Sequence, residues 1–137
     1  MKSLLTLFLF TVILSATNTY ADSDFSVSSK NRVIADFDFT VTEIERSGSY
    51  STLSEPKFQT RSAFASRSMM CVYTELAIAR GFDYWSSIYT DNSGDNLIIV
   101  FPKTSLISDT AFSNVNLLGT EPSISSVSTF KRFCDLK

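Results

Sequence analysis

Between residues 61 and 100 the spacing of hydrophobic positions changes period, and the rest of the chain reads around that stretch. Ala65, Met69, Val72, Leu76 and Ala79 are separated by four, three, four and three positions, which at ~100° per residue draws one stripe along a helix. The spacing predicts a helix over 62–80, with Phe64, Cys71 and Ile78 on the flank of the stripe. Gly81 follows directly, where a residue that tolerates positive φ ends a helix. Beyond it, Phe82, Tyr84, Ser86 and Ile88 fall on one parity, and Asp83, Trp85, Ser87 and Tyr89 on the other. Both parities carry aromatic residues, so alternation predicts a strand without choosing its buried face. Residues 91–95 (Asp-Asn-Ser-Gly-Asp) read as a hairpin turn into the continuous run Leu97, Ile98, Ile99, Val100, Phe101, which Pro102 stops. A strand apolar on both parities is expected to be central and covered on both faces, or covered by the helix on one face with the other partly exposed.

Upstream, Val33, Ala35, Phe37, Phe39 and Val41 alternate with Asp36, Asp38 and Thr40, the period-two signature of a strand with one buried face. The alternation changes phase at Glu43 and Ile44, which predicts a bulge or the end of the strand. Residues 46–59 hold Ser47, Gly48, Ser49, Ser51, Ser54 and Pro56 and read as a turn-rich connection, with Tyr50 and Leu53 as its contacts. Downstream, 111–118 reads as a short strand. Ile124, Ser126, Ser128 and Phe130 alternate as a serine-rich strand that delivers Phe133 and Cys134 near the end. Strand, helix, hairpin and further strand together predict an α+β fold, a mostly antiparallel sheet with one main helix packed on one face.

The first residues change this picture. Lys2, the apolar run 4–14 and the small-x-small pattern Thr19-Tyr20-Ala21 read as a signal peptide over 1–21. The apolar run is shorter than the roughly 20 residues a bilayer span needs, and no later stretch is long enough either. Residues 22–31, polar and serine-rich, read as a flexible N-terminal arm or a short edge strand, and 32–137 as a single domain. The expected location is therefore periplasmic or extracellular. There, an even pair of cysteines, Cys71 and Cys134, reads as one disulfide. A net charge of −2 at pH 7 without a basic run argues against a nucleic-acid partner.

The chain has no histidine, which removes the commonest general base and the Ser-His-Asp and Cys-His arrangements. Its four glycines are widely separated, so no glycine-rich phosphate loop is present. Asp91 to Asp95 resembles the start of a calcium loop. The sixth and twelfth positions counted from Asp91 are Asn96 and Pro102, where such a loop needs glycine and a bidentate acid, so no metal site is expected. Glu43, Glu45, Glu75 and Asp83 are the acids available to a carboxylate mechanism, with Glu43 and Glu45 expected on one strand face. Tyr84, Trp85 and Tyr89 are the candidate binding surface for a glycan or peptide, against the alternative that they belong to the core.

The stretch Cys71-Val-Tyr-Thr-Glu75-Leu76-Ala77-Ile-Ala-Arg80-Gly81-Phe82-Asp83-Tyr84-Trp resembles a group of short bacterial envelope proteins of unknown function. In that group a cysteine-bearing helix ends in glycine and is followed by an aromatic strand. The resemblance implies a Gram-negative envelope location and a small α+β fold, and brings no activity. Many members of the group look like lipoproteins; this chain has no cysteine at the cleavage point, so anchoring does not carry over. The expectation is an exported, non-catalytic binding or accessory protein with an unknown envelope partner or ligand and no cofactor. Its rivals are a small hydrolase using the four carboxylates and a self-associating assembly component.

Overall fold

The computed structural model describes residues 25–29, 38–57, 62–91 and 93–137. The segment read as a signal peptide, and Val33, Ala35 and Phe37 of the first alternating run, lie outside them. The strands are β1 (Ser26–Ser28), β2 (Thr40–Arg46), β3 (Tyr50–Ser54), β4 (Tyr84–Tyr89), β5 (Asn96–Val100) and β6 (Ser125–Ser126). They form one six-stranded antiparallel sheet in the order β1-β2-β3-β5-β4-β6. Helix α1 (Ala63–Arg80) packs on one face, and a short helix α2 (Val127–Phe133) lies beside it. The predicted α+β architecture is thus the observed one.

α1 begins where Ser62 accepts a hydrogen bond from the Ala65 amide and ends at Gly81, whose φ of 77° lets its amide and that of Phe82 close back on Ile78 and Ala77. Ala65, Met69, Val72 and Leu76 are buried as their spacing predicts, but Ala79 is exposed, and Tyr73, Thr74 and Ala77 are buried instead. The buried stripe is therefore wider than the one drawn from aliphatic residues alone, and its centre lies nearer Tyr73. Under α1 these residues meet Val41, Leu53, Trp85, Leu97, Ile99 and Phe101 in the main core.

β5 is central and covered on both faces. Leu97 and Ile99 face α1, whereas Ile98 and Val100 face a second cluster with Ile88, Ala111, Phe112, Val115 and Ile124. The segment that supplies this second cover, expected as a strand over 111–118, is a 3-10 turn (Thr110–Phe112) followed by further turns. Asp109 causes the difference: its carboxylate accepts from the amides of Ala111, Lys103 and Thr104 and winds the chain into a compact loop.

Two other expectations are corrected. Residues 46–59 are not a connection throughout, because Tyr50–Ser54 is the third strand of the sheet, paired with β2 and β5. Serine content misled there: Ser51 and Leu53 face α1, where a small side chain fits under the helix, and the Ser51 hydroxyl is hydrogen-bonded. The serine-rich strand over 124–130 shrinks to Ser125–Ser126 and becomes α2 at Val127. Val127, Phe130 and Cys134 are three and four apart, a helical spacing that places Val127 and Phe130 against the main core. Of the expected arm over 22–31, Ser26–Ser28 pairs with β2, and Phe25 and Val27 pack on the core.

Candidate functional site

Cys71 and Cys134 are joined, with Cα atoms 5.7 Å apart and a sequence separation of 63. The bridge follows from α1: Cys71 lies on the flank of the buried stripe, facing α2 rather than the sheet. Trp85 on β4 and Phe130 on α2 complete the junction, their ring centroids 5.4 Å apart. The Trp85 indole N–H donates to Thr74 Oγ1 at 3.0 Å, and Thr74 donates to the Met70 carbonyl.

Along this junction runs a groove of about 330 Å³ lined by Arg67, Met70, Thr129, Phe130 and Phe133. Met70 is 40% and Phe133 62% exposed. Lys131 and Arg132 lie in the last turn of α2. Among the described residues, neither they nor Arg67 pairs with a carboxylate. The result is an apolar channel with one unpaired cation, Arg67, in its lining.

The three aromatic residues singled out by sequence do not share one exposed surface. Trp85 is 3% exposed and packs edge-on against Tyr73, while Tyr84 is half-buried on the opposite side of β4. Tyr89 is exposed, near the far end of the strand.

The acids are also dispersed. A bulge between Glu43 and Glu45 sets Glu43 opposite Leu53 and Glu45 opposite Thr52, so the two glutamates point to opposite faces rather than one. Glu43 is held bidentately by Arg46 and accepts from Ser51. Arg80 donates to Ser51 Oγ at 2.7 Å, to the Tyr50 carbonyl at 2.9 Å and to the Ser47 carbonyl. Its guanidinium lies 4.8 Å from the Phe101 ring centroid. Burial lowers the Arg80 pKa from its ordinary value, with Glu43 opposing the shift. Ser51 is fully buried and Glu43 is 3% exposed, so this hydroxyl and carboxylate pair is out of reach of a substrate. Glu55 is likewise buried and accepts from Tyr73, whose pKa is raised by burial first and by Glu55 second. Glu75 is half-buried on α1, and Asp83 is exposed ahead of β4.

Two further cavities have linings of mixed polarity. One of about 470 Å³ lies between Ser47, Gly48, Ser49, Phe82, Lys103 and Asn114. Another of about 430 Å³ is lined in part by Tyr89, Asp91 and Glu121. Asp91 already accepts from Ser93 and Gly94, and these bonds, that of the Ser93 hydroxyl first, hold its carboxyl below the usual range. It is therefore ionised at neutral pH and spent on closing its own turn. Among the described residues no group of three or more His, Cys, Asp or Glu side chains is arranged to hold a metal ion.

Set against family models, curated proteins and solved structures, the chain matches none.

Sequence reading missed Arg67, Met70, Phe130 and Phe133. The available signal was the spacing of Val127, Phe130 and Cys134, which the serine alternation around it concealed.

Proposed function

We propose that the chain is an exported, non-catalytic binding protein of the bacterial envelope, and that the groove between α1 and α2 receives its partner. The observation that carries this reading is the chemistry of the groove: apolar along its length, with Arg67 in its lining and unpaired among the described residues, in a chain of net charge −2. Large apolar side chains left together at a surface mark interaction sites, and local positive charge selects what approaches. The fitting partner is a protein segment with a large apolar anchor flanked by Asp or Glu. Export is supported by the apolar leader and by a disulfide, which persists best in an oxidising compartment. The resemblance of the Cys71 to Trp85 stretch to small envelope proteins agrees with that location.

Strand addition is less favoured as the docking mode. The edge strands β1 and β6 are three and two residues long and offer little ladder to a guest. The hydrolase reading retains one favourable observation, the cavity shared by Asp91, Glu121 and Tyr89. An acid catalyst there would need a raised pKa, whereas that of Asp91 is lowered.

Selection of random peptides on the intact oxidised chain tests the reading. Enriched sequences are expected to carry an aromatic or aliphatic anchor beside acidic residues, and to bind Phe133→Asp at least tenfold more weakly. Enrichment of basic sequences, or equal binding to Phe133→Asp, would contradict it. Export is tested separately: protein recovered from the periplasm of an expressing host should start near Asp22 by mass, and an intact leader would count against it.

A further inference from the structure

We infer that the Cys71–Cys134 disulfide gates this groove, so that partner binding responds to thiol–disulfide chemistry. The inference rests on the docking reading above and assigns its regulation. Each exposed apolar wall of the groove is the chain neighbour of a bridged cysteine: Met70 precedes Cys71, and Phe133 precedes Cys134. The two ends of α2 are held by different means. Its start is fixed to the sheet by the Ser125–Ser126 pairing with Trp85 and Tyr84, by the Val127 amide donating to the Asp83 carbonyl, and by burial of Val127. Among the described residues, the disulfide is the only covalent or hydrogen-bonded link between the segment past Phe130 and the rest of the fold. The amides of Cys134, Asp135 and Leu136 donate to carbonyls of Phe130, Arg132 and Lys131, all within the same segment. Phe133 itself contacts the ring of Phe130 and is otherwise largely exposed.

Opening the bridge therefore frees the last turn of α2 and removes one wall of the groove, while leaving the sheet and α1 intact. Both cysteines are partly accessible at the surface. The reaction is exchange with a dithiol reductant. One reductant thiolate attacks a sulfur of the bridge and forms a mixed disulfide, and its second thiolate then displaces the protein sulfur. Two electrons and two protons end on the Cys71 and Cys134 thiols, and the reductant leaves as a disulfide.

The test compares the intact chain, oxidised and after reduction with dithiothreitol, together with the double variant Cys71→Ser/Cys134→Ser. The first readout is amide exchange. On reduction, protection is expected to be lost at Cys134, Asp135 and Leu136, while the amides of β3, β4 and β5 exchange faster only by the global loss of stability and stay far slower than those of an unfolded chain. The second is binding of the peptide Glu-Leu-Glu-Phe-Leu-Glu, expected to weaken at least tenfold in the reduced chain and in the double variant. Unchanged protection at residues 134–136, or equal peptide affinity in both redox forms, would overturn the gating. Sheet amides that exchange as fast as those of an unfolded chain would overturn it as well, since the bridge would then hold the fold and not the groove. A peptide that binds neither form while residues 134–136 still lose protection would leave the gate standing and sink the docking reading instead.

Discussion

Asp109 shows how much a single half-buried residue can organise. One carboxylate caps the turn at Ala111 and gathers the amides of Lys103 and Thr104, and the loop it shapes carries Ala111 and Phe112 over the second face of the sheet. These bonds, that from the Ala111 amide first, hold its carboxyl below the usual range. A carboxyl whose pKa is lowered by folding stabilises the fold above its unfolded value, near 3.9, and that contribution disappears as pH falls through the folded value. Amide exchange at Lys103, Thr104 and Ala111 should therefore accelerate as pH falls below about 4, beyond the intrinsic trend set by β5. Asp109→Ala should abolish this extra dependence and cost about 1 kcal/mol, as the loss of a capping side chain does. Arg80 works in a similar way at the C-terminal end of α1. It links the β2–β3 turn to the helix through three acceptors, and every one of them belongs to the fold.

At the level of elements, α1 was legible from end to end because propensity, periodicity and capping agree. Ser62, the stripe and Gly81 each mark the same helix. Gly81→Ala tests the C-terminal signal. No atom lies within 4 Å of the added Cβ, so the cost is that of φ 77° in a residue with a side chain, about 1 kcal/mol. A thermal melt should show a small downward shift without loss of cooperativity; an unchanged melt would mean that Gly81 does not set the helix end. The β4–β5 hairpin was legible for the same reason, with apolar runs on either side of a polar turn. β3 and α2 were not. In β3, Ser51, one of the serines that look like a loop, is buried under α1, and its partners Glu43 and Arg80 are distant in sequence or on another element. In α2, a seven-residue helix carries too short a period to outweigh the alternation of Ile124, Ser126 and Ser128. The groove proposed for binding lies between one legible element and one illegible one, which is why its residues escaped the reading while the bridge across it did not.

For the whole molecule, the disulfide closes a separation of 63 residues. In the chain-entropy model a loop of that size stabilises by about 4 kcal/mol, chiefly by restricting the unfolded chain. Cys71→Ser should accordingly lower the thermal midpoint clearly, while near-ultraviolet circular dichroism at ambient temperature keeps the signal of Trp85 packed against Tyr73. An unaltered midpoint would show that the bridge contributes nothing to stability. The polar clusters of the molecule are occupied with the fold itself: Glu43 with Ser51 and Arg46, Glu55 with Tyr73, Asp91 with its own turn. The apolar channel beside the bridge, with Arg67 in its lining, is the surface proposed above for a partner. Mapping of backbone chemical shifts of the isotope-labelled, oxidised chain during titration with the acidic and apolar peptide tests that claim most directly. The account predicts shifts concentrated at Arg67, Met70, Thr129, Phe130 and Phe133. Shifts centred instead on Ser47 to Ser49 and Asn114, or on Tyr89 and Glu121, would contradict it.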